Sequence, residues 1–322
     1  ALDRQNRRIQ QVVEMRAFEI IHKSWERQGF PFNKMVSSLA SVLGSSADRP
    51  KATAELLGIM QNNGQKLQTR AFNKIHLAKD TPYEQIFEAV DKSLSRLGID
   101  YIDLYQLHWP DRPMNLFGGS INYEHIDKPS IEIEIILDSL NELIKIGKIR
   151  HIGLSNETPW GTMKFLYHSN ISSGPRVQSI QNAYNLLNRT FETGGSEIAH
   201  REKVGLLAYS PLAQGYLTGK YQNGKLPKGS RKELFNRLQR YEGPYAEEAI
   251  EDYLSIGKKY NIDPSQLANQ FVTTRSFVTS NIIGATSMEQ LKLAVTSTEI
   301  NLTKEIENDI EKAFQKHGNV AS

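Results

Sequence analysis

From residue 84 onward, short apolar runs alternate with stretches whose apolar positions recur every three or four residues. Ile86, Val90, Leu94 and Leu97 mark a helix over 84–97 that stops at Gly98, and 101–107 reads as a buried strand. Further helices are predicted over 131–147, 160–169, 246–260, 264–274 and 288–297, with another closing at 198–202. Strands are predicted over 149–154, 177–181, 204–209 and 282–283. This alternation predicts an α/β fold with a parallel sheet and its helices outside. The first 83 residues follow a different pattern. Ile9, Val12, Val13, Phe18, Ile20 and Ile21 recur at helical spacings, then Met35, Leu39 and Leu43 do so, and then Ala52, Leu56, Leu57 and Met60. Residues 67–77 alternate poorly and read as a weak strand or a loop. With Thr81-Pro82 as the break, the chain is expected to hold a mainly helical segment, 1–83, and an α/β portion, 84–322.

Composition narrows the chemistry. The 322 residues include no cysteine, which excludes disulfides, thiolate nucleophiles, zinc–cysteine sites and iron–sulfur clusters. No apolar run approaches the roughly 18 residues that a membrane-spanning helix needs. The polar start ALDRQNRRIQ carries no secretory signal pattern, so a cytoplasmic location is the expectation. Residues 1–85 hold 13 basic and 8 acidic side chains, a balance of +5, and the total of +3 leaves −2 for the rest. The basic residues are scattered among acids, with Arg7-Arg8 the one adjacent pair, which reads as a solvated surface rather than a nucleic-acid arm.

In a parallel α/β barrel the chemistry sits where strands end. Those positions hold His108, Ser155-Asn156, Gln181, Tyr209-Ser210 and Gly284-Ala285-Thr286. Amides and hydroxyls there can orient a flat polar ligand, and an aromatic ring can stack on it. The helix that starts at 288 offers backbone N–H groups suited to a phosphate. The alternative is that Ser155, Asn156, Thr286 and Ser287 are helix caps. That alternative is favoured for any one residue and is harder to sustain for five strand ends together.

The segments 94–113 (LSRLGIDYIDLYQLHWPDRP), 148–158 (KIRHIGLSNET), 179–189 (SIQNAYNLLNR), 206–221 (LLAYSPLAQGYLTGKY) and 281–291 (NIIGATSMEQL) resemble the aldo-keto reductases. HWPDRPMNLFG (108–118) is especially similar to the bacterial branch with a long loop after the fourth strand. The resemblance covers roughly 84–322 and implies a (β/α)8 TIM barrel that binds NADP(H) in extended form. GxGxxG is absent from the chain, which agrees with that mode. Carried over by position, the resemblance assigns Ser155, Asn156 and Gln181 to the nicotinamide carboxamide and Tyr209 to the nicotinamide face. It assigns Ser210, Leu212, Gly215 and Lys220 to the pyrophosphate, and Gly284, Thr286, Ser287 and Gln290 to the adenosine 2′-phosphate. His108 matches the histidine that orients the substrate carbonyl. Ala294 stands where the family often has an asparagine near adenine, so weaker adenine binding is implied.

The family's proton donor is a tyrosine whose pKa is lowered by a lysine paired with an aspartate. All three lie before the histidine strand. Here no tyrosine precedes Tyr83, and the glycine-rich first strand and Asp-ending second strand are not recognisable. Lys74 lies 34 residues before His108, near the family lysine's place, but in the unlike context QTRAFNKIH. Asp80 and Tyr83 follow it in the wrong order. Residues 16–50 and 55–64 faintly resemble a penicillin-binding protein transpeptidase fragment, without its Ser-x-x-Lys or Lys-Thr-Gly. Ser255 and Lys258 have the first spacing, but in mid-helix. Three readings stay open: a carbonyl reductase, a catalytically silent nucleotide-binding or interaction protein, and a fusion of two fragments without evolved function. With only five strands recognisable, corresponding to strands 4–8, the barrel is expected to be incomplete and to self-associate through open sheet edges.

Overall fold

A computed structural model of the chain describes residues 82–112, 114, 130–235 and 239–321. The expected helices of 1–81, with Lys74, Asp80 and the transpeptidase-like stretch, lie outside the described residues. So does most of the loop 111–130. Five parallel strands lie in one sheet in chain order: β1 (Ile102–Gln106), β2 (Ile149–Ser155), β3 (Val177–Gln181), β4 (Gly205–Tyr209) and β5 (Val278–Ile282). The principal helices between and after them are α1 (Pro82–Leu97), α2 (Ile133–Lys145), α3 (Pro159–Ser172), α4 (Gly195–Arg201), α5 (Arg231–Phe235), α6 (Ala246–Lys259), α7 (Pro264–Thr273), α8 (Met288–Thr296) and α9 (Lys304–His317). Among the described residues no helix is long and apolar enough to cross a membrane.

The chain divides into two compact units. The first comprises, among the described residues, 82–111, 130–155 and 160–179. In it β1 and β2 run in parallel register, with Ile102 opposite Ile149 and Gln106 opposite Gly153. Helix α2 buries Ile133, Ile136, Leu137, Leu140 and Leu143, a stripe spaced by three and four that seals one face. Helix α1 does the same with Ile86, Ala89 and Val90. Tyr105 is fully buried on β1 and Asp103 pairs with Arg150, so both serve structure, as their alternation implies.

The second unit comprises 112, 156–159 and 180 onward. Strands β4 and β5 pair in parallel with a shift in register between Leu206 and Leu207. Gly205 allows the shift, because a Cβ there would collide with the Thr279 hydroxyl. This corrects the expected strand 282–283: β5 starts four residues earlier and ends before Ile283. Its polar residues hid it. Asn281 is buried, and its amide donates to the Asn269 carbonyl at 3.1 Å and to Thr273 Oγ1 at 3.2 Å on α7. Helix α9 was not expected at all, although Thr303 caps it and Ile306, Ile310 and Ala313 form its buried stripe.

Candidate active site

The strand ends of the second unit carry most of the expected cofactor residues. Beyond β2 the chain turns at Asn156, a non-glycine residue in the left-handed region with φ 55°. Its backbone N–H donates to the Gln181 carbonyl at 3.0 Å, tying it to the end of β3. Its Oδ1 accepts a 2.6 Å hydrogen bond from the Tyr209 hydroxyl at the end of β4. Asn156, Gln181 and Tyr209 are therefore brought together, with Gln181 completely buried and the Tyr209 ring half-buried.

Ser210 follows Tyr209 at φ 59°, and Ala213, Gln214 and Gly215 also have positive φ. This run of left-handed residues coils 210–219 into tight turns. The Ser210 carbonyl accepts from Ala213 N–H at 2.9 Å, and the Leu212 carbonyl from Gly215 N–H at 2.8 Å. Gly215 has φ 102°, and a Cβ there would lie 2.8 Å from Lys220 Cε and 2.9 Å from Nζ. The missing side chain thus seats the lysine, whose ammonium rests 5.1 Å from the Tyr221 ring centroid.

The loop before α8 is exposed at Gly284, Thr286, Ser287 and Gln290. Ser287 caps the helix, its hydroxyl accepting from Gln290 N–H at 3.2 Å, so the capping alternative is realised for this residue. Gln290 Oε1 reaches back to accept from Thr286 N–H at 2.9 Å and from its hydroxyl at 3.1 Å. An acceptor oxygen of the protein's own thus satisfies both donors of Thr286. Lys292 is exposed, as a solvated side chain would be, and Ala294 is buried. Gly284 has open space where a Cβ would point.

In the first unit, Ser155 is the buried last residue of β2, and His108 follows β1. The His108 ring stacks on Trp109 with centroids 4.5 Å apart and planes 19° from parallel. Asp111 Oδ2 accepts from Ile131 N–H at 2.9 Å and so joins the two ends of the intervening loop.

Sequence reasoning missed an ion pair. Glu157 is buried beside Asn156, and both nitrogens at the tip of Arg112 engage its carboxylate, Nη1 at 3.0 Å. Arg112 Nη2 also donates to Thr158 Oγ1 at 3.0 Å. The Asn182 side chain brackets the Glu157 backbone, donating to its carbonyl at 2.8 Å and accepting from its N–H at 3.2 Å. The partners stand 45 and 25 positions apart, so no local pattern announces them. Tyr83 is half-exposed on α1 and stacks on Phe87, as a helix residue rather than an acid. Ser255 and Lys258 are exposed on α6. Among the described residues there is no cluster able to hold a metal.

The aldo/keto reductase family model matches residues 55–314. The chain belongs to that family. Its sheet and outer helices are those of the aldo/keto reductase (β/α)8 barrel, and the match begins well before the change of pattern at 84. Protein tas of Escherichia coli (strain K12) is 45% identical over 233 residues, covering 72% of this chain and 67% of that protein. An aldo-keto reductase of Babesia bovis is 41% identical over 248 residues, or 72% of this chain and 87% of its own. The NADH-specific methylglyoxal reductase of Escherichia coli (strain K12) is 31% identical over 237 residues, covering 72% and 66%. Aldo/keto reductases as a family are oxidoreductases that use nicotinamide dinucleotides, which sets the reaction class.

Proposed function

We propose that this chain binds NADP(H) along the strand ends of its second unit and is built to reduce small carbonyl compounds. The observation that carries the reading is the Tyr209–Asn156 hydrogen bond, which fixes an aromatic face beside the buried Gln181 amide. A flat carboxamide ring suits such a face. The donor set fits the rest of a dinucleotide. Lys220 supplies a positive charge beside backbone kept close by Gly215, and Thr286, Ser287 and the α8 N-terminus offer donors to a phosphate. Gln290 would yield its acceptor position on Thr286 to that phosphate. The bound cofactor would supply hydride to the carbonyl carbon. His108, held against Trp109, would orient the carbonyl oxygen through its ring.

Turnover needs a proton at that oxygen. No tyrosine precedes Tyr83, and Tyr83 packs on Phe87. A chain that holds cofactor yet reduces aldehydes poorly follows from this. The NADP over NAD preference rests on Thr286, Ser287 and Gln290, whose place in the sequence suits a 2′-phosphate. The partner is a small-molecule carbonyl, with neither nucleic acid nor membrane, in the cytoplasm.

Titrating NADPH into the protein while following nicotinamide fluorescence tests the binding, and adding an aromatic aldehyde tests the chemistry. Binding with slow or no oxidation is expected. Rapid oxidation would overturn the argument about the acid, and no binding would overturn the whole reading.

A further inference from the structure

Asn185 lies just beyond β3, in the turn that joins it to α4, and is completely buried. Each of its hydrogen-bonding positions is used. Its Oδ1 accepts from the N–H groups of Leu187 and Asn188, both at 3.0 Å, closing its own turn. Its backbone exchanges two 3.0 Å hydrogen bonds with Asn188. The Nδ2 group points the other way, across 25 positions of sequence, and donates to the Ser210 carbonyl at 2.9 Å. It also donates to the Tyr241 hydroxyl at 3.1 Å.

Ser210 needs such support. At φ 59° it occupies a region that L residues populate sparsely, and it opens the run of left-handed residues leading to Gly215 and Lys220. Its carbonyl takes one donor from the turn itself, Ala213 N–H at 2.9 Å. The second comes from Asn185. Next to it, Tyr184 N–H donates to the Tyr209 carbonyl at 3.3 Å and Tyr209 N–H to the Asn182 carbonyl at 3.1 Å. Residues 182–185 therefore track the end of β4 and carry the amide to where the backbone bends.

We infer that Asn185 is a positioning residue for the dinucleotide: its amide sets the Ser210 carbonyl and through it the turn that carries Gly215 and Lys220. The inference rests on the cofactor reading above. Asn185 itself touches no ligand in this role. It acts through the peptide of Ser210, whose left-handed bend opens the turn that seats Lys220 against Gly215.

Asn185→Asp separates positioning from mere packing. The shape and the acceptor oxygen are kept, while the donor becomes a carboxyl group. Protonated, that group donates to Ser210 as the amide does. Ionised, it sets an anion against the carbonyl oxygen. NADP+ affinity, measured by calorimetry for N185D and the native protein at about pH 6 and about pH 8, is the readout. The expected result is a roughly tenfold weaker Kd at the higher pH that recovers at the lower pH relative to the native protein. The melting temperature is followed alongside. An equal Kd ratio at both pH values would overturn the inference, because lost packing has no proton dependence. Asn185→Ser is the second variant, for use if N185D does not fold. Its hydroxyl can still accept from the turn but stops short of Ser210, so weaker binding at both pH values is expected and native affinity would overturn the proposal. Native protein that binds no NADP+ would remove the cofactor reading and this inference together. Native protein that binds normally, with variants that bind equally well, would remove only the inference.

Discussion

The Tyr209 hydroxyl donates to Asn156 Oδ1 at 2.6 Å, which locks the one aromatic ring at a β4 strand end to the turn that follows β2. The bond spans 53 positions of sequence and fixes the plane of the ring. Ring and hydroxyl should therefore contribute separately to cofactor binding. Tyr209→Ala removes the stacking face and should weaken NADPH binding about tenfold or more. Tyr209→Phe keeps the face and loses only the tether, with a loss of about threefold. Fluorescence titration distinguishes them, and equal affinities for native protein and Tyr209→Ala would remove the ring from the site.

Arg112 and Glu157 form a charge pair in which the carboxylate is 3% exposed and the guanidinium 21%. Removing the arginine strands a buried anion. Arg112→Met should destabilise the fold by about 3 kcal/mol, and adding Glu157→Gln to it should restore part of that loss. Denaturant melts of the single and double variants measure the coupling. Additive effects would show that the pair is not coupled.

Gly215 is required for two reasons, its φ of 102° and the place of Lys220 against it. Gly215→Ala should cost about 1–2 kcal/mol in stability and displace the lysine. NADPH affinity should then fall more steeply as salt is raised in the native protein than in the variant, read as the slope of log Kd against log salt. Parallel slopes would mean that Lys220 carries no phosphate.

Glu242 accepts from Lys232 and from the Tyr216 hydroxyl, and these bonds hold its carboxyl below its ordinary value of 4.5. A depressed folded-state pKa means that the contribution to stability is complete above about pH 4.5 and fades as pH falls through the folded value. Glu242→Gln should melt lower than native protein near about pH 7, and the gap should narrow below about pH 4. A gap that is constant with pH would contradict the pairing.

Among the described residues, β1 and β5 stand at the two ends of the sheet. Strand edges of this kind pair with other strands when they meet them. Sedimentation over a wide concentration range should show reversible growth in mass with concentration. A single monomeric species throughout would show that both edges are covered.

Strands β1 to β4 and the helices α1 to α4 and α6 to α8 were legible from the pattern of their apolar residues, whereas the short α5 and the late α9 were not expected. Leu137, Leu140 and Leu143 on α2 and Leu206, Leu207 and Ala208 on β4 are examples. Strand β5 was read too short because Thr279, Ser280 and Asn281 are polar, and only pairing with β4 and ties to α7 place them in the sheet. The residues proposed for the cofactor were named through resemblance, at the strand ends. What held them was not. Asn185, Asn182 and Glu157 act on partners far along the chain, and an asparagine or glutamate in a turn looks alike whether it faces water or a backbone carbonyl.

Arg189 is 8% exposed, yet it pairs with Glu311, 122 positions later, and its backbone N–H donates to Asn319, 130 positions later. Ala321 N–H closes the same corner onto the Leu187 carbonyl. On the ribosome, the turn that holds Asn185 therefore emerges long before the residues that cover it. Until α9 clears the exit tunnel, the guanidinium lacks Glu311 and the turn lacks its ties to Asn319 and Ala321. A stalled chain lacking α9 would leave Arg189 without Glu311 and without the Phe314 ring it lies over in the finished protein, with Phe271 as its remaining aromatic neighbour.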